Sequence, residues 1–154
     1  MGKGEIVMRI STRGSYALEA VLAIAMMQDA GSVSIREISE RTMISDNYLE
    51  QIFSLLRKGG IIRSLRGAQG GYCLARPSSA ISVGDVLRVA EKSISPVLCI
   101  EDTSVCGKST DCAARNTWCR LYGVISDTVD KIRIADLVNG FAEQKDTAGQ
   151  DYAI

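Results

Sequence analysis

Residues 34–76 read SIREISERTMISDNYLEQIFSLLRKGGIIRSLRGAQGGYCLAR, and the punctuation of that stretch decides the fold. Ser34 with Glu37 three residues on is a capping-box start, in which a hydroxyl and a carboxylate take up the first free N–H groups of a helix. The run to Thr42 then sets Ile35 and Ile38 on one face. Met43 and Ile44 fall at a turn, and Ser45 with Asp46 opens a second helix, because both side chains suit its positive end. From there Tyr48, Leu49, Ile52, Phe53, Leu55 and Leu56 recur at helical spacing as a wide apolar stripe, while Asn47, Glu50, Gln51, Ser54, Arg57 and Lys58 fall largely off it. Gly59 and Gly60 stop the helix, and Ile61 to Leu65 and Tyr72 to Ala75 read as two strands around a flexible tip, Arg66-Gly67-Ala68-Gln69-Gly70-Gly71. Two short helices followed by a glycine-rich hairpin is the order of a winged helix-turn-helix.

Upstream, Met8 to Thr12 precede a helix whose Ala17, Leu18, Val21, Leu22, Ile24, Ala25 and Met26 cover most of its circumference, so it is expected to be buried between other elements. Asp29 to Ser32 end it. Downstream, Pro77 to Ala80 form a turn, Ser82 with Asp85 is a second capping box, and Ser95-Pro96 break the helix that follows. Val97 to Asp111 shows no period and is punctuated by Cys99, Cys106 and Cys112. From Ala113 the helical pattern returns as one long stripe, Trp118, Leu121, Tyr122, Ile125, Val129 and Ile132. A stripe on a lone helix needs a partner, and two copies across a two-fold axis would bury it. The expected architecture is mainly α with a small β-wing. It comprises a winged helix-turn-helix over 8–92, a cysteine loop over 93–112, a dimerisation helix and C-terminal helix over 113–143, and a disordered tail over 144–154.

Composition narrows the function. At 154 residues, 46% hydrophobic and 23% charged, the chain can bury one ordinary core. Its longest apolar stretch, Ala20 to Met27, is far shorter than the roughly 20 residues of a membrane span. Met1 to Val7 lack the pattern of a secretion signal, so a cytoplasmic location is expected, where five cysteines are not expected to pair as disulfides. Net charge is zero, but residues 1–77 hold ten Lys+Arg against seven Asp+Glu, and the second half reverses the excess. The basic half is the one with the helix-turn-helix. Histidine is absent, which removes Ser-His and Cys-His nucleophilic pairs and every histidine metal site, and no enzyme is expected.

Double-stranded DNA is therefore the expected partner. Glu50 and Gln51 follow the first turn on the exposed side, where a carboxylate and an amide could read cytosine or adenine edges in the major groove, and Asn47 and Tyr48 complete that end of the helix. Arg66 at the wing base could enter a minor groove. Arg57, Lys58, Arg63 and Ser11 suit phosphate contacts, which set register without reading sequence. The plainer reading of the same residues is a solvated helix face. Cys99, Cys106 and Cys112 are either three unrelated loop thiols or soft ligands for an iron-sulfur cluster, copper(I) or zinc, although their gaps exceed those of zinc knuckles. Cys73, in a wing strand, reads as a small buried hydrophobe.

Tyr48-Leu-Glu-Gln-Ile-Phe53, Leu56-Arg-Lys-Gly-Gly-Ile-Ile62 and Arg66-Gly-Ala-Gln-Gly-Gly-Tyr72 resemble the Rrf-type winged-helix regulators, whose members include IscR, NsrR, RirA and CymR. The resemblance runs from about Met8 to about Gly140 and is strongest to the IscR-like members. It implies a homodimeric transcription factor on a palindromic operator, with Glu50, Gln51 and Arg66 at base or groove contacts and a 2Fe-2S cluster on Cys99, Cys106 and Cys112. The sequence departs from the pattern in two respects. The wing tip has Ala68-Gln69 where relatives have Pro-Gly. Arg115 and Ser15 also stand where relatives carry a histidine or a carboxylate as the fourth cluster ligand. Glu19 of the partner subunit, an exogenous ligand and Cys119 remain as candidates. Cys119 lies about 10 Å of helical rise beyond Cys112 and reads more simply as a thiol packed beside Trp118. Expected function is a cluster-sensing repressor, with a cluster-free thiol or metal switch on the same fold as alternative. A metallochaperone or electron carrier would leave the wing without a purpose.

Overall fold

The computed structural model describes residues 10–107 and 111–150. Helix α1 (Thr12–Met27) is capped by Ser11, and its small and branched residues Ala17, Ala20, Val21, Ala23 and Ile24 are buried, as an all-round apolar helix requires. Helices α2 (Ile35–Thr42) and α3 (Asp46–Lys58) pack on it and on each other. The Ser34–Glu37 capping box forms in full, and the Ser34 N–H and hydroxyl, both donating to Glu37 Oε2, hold the Glu37 carboxyl below its ordinary range. Strands β1 (Ile62–Leu65) and β2 (Gly71–Leu74) pair antiparallel with Arg63 opposite Cys73. Helix α4 (Val83–Ala90) starts at the Ser82–Asp85 box. It is followed by the single turn α5 (Leu98–Glu101), then α6 (Arg115–Lys131) and α7 (Ile134–Gln150).

One core, in which Phe53, Ile24, Ile38, Leu49, Ile52, Leu56 and Ile61 are among the largest buried side chains, joins α1, α2, α3 and the wing. Phe53 meets Tyr72 of β2 edge-on at 4.6 Å between ring centroids. A smaller cluster of Val83, Leu87 and Ile94 receives Tyr122, Val129 and Leu137, so α6 and α7 lean against α4. The fold is mainly helical with a two-stranded wing, as the sequence implied.

Several expectations change. Helix α4 ends at Ala90, well before Ser95-Pro96. The cysteine segment is not featureless, since it contains α5 and a 3-10 turn over Thr103–Val105. The tail read as disordered from 144 continues α7 to Gln150, and 151–154 lie outside the described residues. The single stripe read along α6 is divided: Tyr122 and Val129 face α4, whereas Leu121 and Ile132 are exposed, as is Val124 outside that stripe.

Candidate nucleic-acid interface and cysteine loop

Helix α3 turns Leu49, Ile52, Phe53 and Leu56 inward. Burial on that side leaves Asn47, Glu50, Gln51, Ser54, Arg57 and Lys58 exposed in one continuous strip, with spacings of three and four residues. The start of the strip is well ordered: Ser45 accepts from the Tyr48 N–H, and Asp46 lies in the first turn. Tyr48 is half-buried, its ring edge-on to Tyr16 of α1 at 5.6 Å, so it braces α3 as well as standing near the strip. Arg57 and Lys58 occupy the last turn, where cations suit the negative helix end, and both are exposed.

The wing is tied to the segment before α2 at its base and again near its tip, where the Ser32 hydroxyl donates to the Gln69 carbonyl. Val33 and Tyr72 exchange backbone bonds of 2.9 and 2.7 Å, joining β2 to the segment before α2. Gly71 allows this approach, for a Cβ there would come within 2.6 Å of the Val33 carbonyl oxygen. Gly67 reverses the chain at φ 116°, a region that favours glycine, and its carbonyl accepts from the Gly70 N–H. Arg63 and Arg66 are exposed along the hairpin.

Ser11 is held within the chain. Its hydroxyl donates to Glu91 Oε1 at 2.7 Å and accepts from the Gly14 N–H, while its own N–H also donates to Glu91. Glu91, eighty residues later, thus seals the start of α1 against the end of α4; sequence reading had no signal for it.

Cys99 on α5, Cys106 after the 3-10 turn and Cys112 before α6 are all half-buried, and Cys73 is buried as expected. Cys119 is exposed, so it is not the packed thiol expected beside Trp118. Arg115 ties the two ends of the loop together: Nη1 donates to the Cys99 carbonyl at 3.1 Å, and its N–H donates to the Cys112 carbonyl at 3.1 Å. Tyr122 donates to Glu101 at 3.3 Å, a second link from α6 to α5. Asp102 accepts from the Ser104 hydroxyl and N–H, which lower its carboxyl below the ordinary range. Among the described residues no three Cys, Asp or Glu side chains converge as they would around a single metal ion. Soft thiols without histidine nevertheless suit the chemistry of an iron-sulfur cluster, which spans more than one ion.

A helix-turn-helix with its polar strip outward, beside a wing with exposed arginines, defines a transcriptional regulator. Comparison with known proteins agrees. The Rrf2 family model, described as an iron-dependent transcriptional regulator, matches residues 10–140, and the chain belongs to that family. The regulator IscR of Escherichia coli K12 is 36% identical over 145 residues, covering 94% of this chain and 88% of its own. Among solved structures, T. potens IscR superposes with a TM-score of 0.73 at 34% identity, covering 88% of this chain and 90% of that one. CymR, the global cysteine regulator of B. subtilis, gives 0.72 at 36% identity, covering 85% and 96%. Regulators of this family bind DNA. No helix among the described residues is long and apolar enough to cross a membrane.

Proposed function

We propose that the chain works as a homodimeric repressor on a palindromic operator and senses iron-sulfur cluster status, redox state or nitric oxide through Cys99, Cys106 and Cys112. Asn47, Glu50 and Gln51 read base edges in the major groove, Arg66 enters the minor groove, and Arg57 holds phosphate. Tyr48 positions the helix from which they project, and Ser11 acts through the capped start of α1. The exposed Leu121, Val124 and Ile132 supply the face on which a second copy packs. The three cysteines would hold the cluster, of 2Fe-2S type, which when bound supplies a centre reactive to oxidants and nitric oxide.

The observation that carries this reading is the chain of bonds from loop to reading head. Arg115 and Tyr122 of α6 hold the loop, and Arg88 of α4 grips Asp130 further along α6. Closing or opening the loop therefore acts on α6, and α6 acts on the domain that carries α3. Anaerobic purification with visible spectra and iron and sulfide assays tests it. Cluster loss in the single Ala variants of Cys99, Cys106 and Cys112, with retention in those of Cys73 and Cys119, supports the assignment. Full occupancy after losing any of the first three overturns it.

A second reading, a thiol-redox or metal-responsive regulator without a cluster, is favoured by one observation: no three ligands converge among the described residues. It predicts colourless protein whose DNA affinity changes on reversible oxidation.

A further inference from the structure

The turn between α2 and α3 holds a residue that the fold does not favour. Met43 adopts φ 60°, ψ 22°, the left-handed region, and is the one non-glycine residue with positive φ among those described. Left-handed backbone is unfavourable for an L-residue with a Cβ, a cost that glycine would avoid and asparagine would reduce. Its apolar side chain is also 89% exposed, the highest value among the large hydrophobic residues. Neither property helps the domain fold. The turn is nonetheless rigid: the Met43 N–H donates to the Ser39 carbonyl at 2.8 Å, and the Ser39 hydroxyl donates to the Ile44 carbonyl at 2.6 Å. Buried Ile44 anchors the next position, so the direction of the methionine is preset. It stands over a shallow notch lined by Ser39, Glu40, Ile44 and Ser45, two residues ahead of the Ser45 cap of α3.

We infer that Met43 is a specificity-determining residue, packing on the C5-methyl group of a thymine in the major groove. The inference rests on the reading of α3 as the recognition helix, whose N-terminal end approaches the base edges. A thioether has no donor and at most a weak acceptor, so it cannot read the hydrogen-bonding edges that Glu50 and Gln51 read. The thymine methyl is the apolar feature that distinguishes bases in that groove. An unbranched, polarisable side chain can follow it without demanding one geometry.

The test uses the full-length protein, a duplex selected by it from a random pool, and copies in which each thymine in turn is replaced by uracil. Wild type should lose about four-fold in affinity at one thymine, or at its symmetry mate, the effect of uncovering one methyl group. Met43→Gly should bind the thymine duplex about four-fold more weakly and be indifferent to uracil at that position. Its melting temperature should match or exceed that of wild type, since glycine relieves the left-handed turn. Unchanged uracil sensitivity in Met43→Gly, or a lower melting temperature, overturns the inference. Glu50→Ala, run alongside, separates the two levels of the argument. A shifted base preference there with a silent Met43→Gly removes only the thymine contact, whereas silence in both removes the recognition helix assignment as well.

Discussion

Arg88 on α4 grips Asp130 on α6 with both guanidinium arms, Nη1 to Oδ1 at 2.5 Å and Nη2 to Oδ2 at 3.0 Å. This bond raises the pKa of Arg88 and holds the Asp130 carboxyl below the usual carboxylate range. A depressed folded-state pKa contributes stability above the unfolded value, near 3.9 for Asp, and that stability is lost as pH falls through the folded value. The side chains are 39% and 46% exposed, so solvent screening limits the pair to about 1 kcal/mol or less. Asp130→Asn should lower the melting temperature by a few degrees at neutral pH, and the difference should shrink in high salt and below about pH 4. Calorimetry at the two extremes of pH checks the sign.

Base reading and phosphate holding should separate by mutation. Glu50 and Gln51 lie one turn into the exposed strip, whereas Arg57 is in its last turn. Alanine at either of the first two should change preference at one base pair by about 1–3 kcal/mol. Arg57→Ala should weaken all sequences alike and flatten the salt dependence. Identical profiles for wild type and the first two variants in a randomised-site assay would sink the assignment.

Val124 is 58% exposed on α6, so within one subunit its replacement by Asp costs little. If α6 packs on a second copy, Val124→Asp should sediment as a monomer at micromolar concentration with the single-subunit fold intact by circular dichroism. A dimeric variant would place the interface elsewhere.

Gly59 ends α3 with φ −79°, a conformation any residue adopts, so its role is one of space rather than backbone freedom. A Cβ there would lie 2.4 Å from Cγ2 of Val89, on α4. Gly59→Ala should cost about 1–3 kcal/mol by forcing the two helices apart, and Val89→Ala in the same chain should restore part of it. Denaturant melts of the single and double variants measure the coupling.

Arg115 clasps the loop carbonyls of Cys99 and Cys112. Removing the guanidinium leaves the backbone bond to Cys112 and breaks the one to Cys99, worth about 1 kcal/mol. Alkylation of Cys99 in Arg115→Ala should then quicken about five-fold, read by mass spectrometry, with Cys119 unchanged as the internal reference. Equal rates at Cys99 would mean the clasp does not govern access.

What the sequence disclosed was mostly local. Ser34 with Glu37 and Ser82 with Asp85 announce helices because each box is closed by residues three apart, and both form in the structure. The wing was local as well, since the Gly59-Gly60 stop and the glycine-rich tip bracket two short strand runs, and both strands form. Longer-range features left no such trace. The Glu91 bond to Ser11 spans eighty residues, and a serine ahead of a helix reads equally well as a cap or a phosphate contact. A single turn such as α5 is too short to show a period, and the end of α7 is polar and small, without an apolar stripe to mark it. The α6 pattern was visible, but which part of it faces the chain's own α4 depends on tertiary packing.

The pairing of Val33 with Tyr72 turns the hairpin from an appendage into a third strand-like attachment of the reading head. Ser32, next to it, also donates to the Gln69 carbonyl at the hairpin tip. The wing therefore cannot swing on its own hinge: lifting it would pull the entry to α2, and through α2 the turn that aims α3. Groove-probing arginine and base-reading helix are cast as one jig, with their separation set at folding. Adaptation of such a regulator to a new site then proceeds by exchanging side chains on that jig, residue by residue, rather than by re-angling its arms.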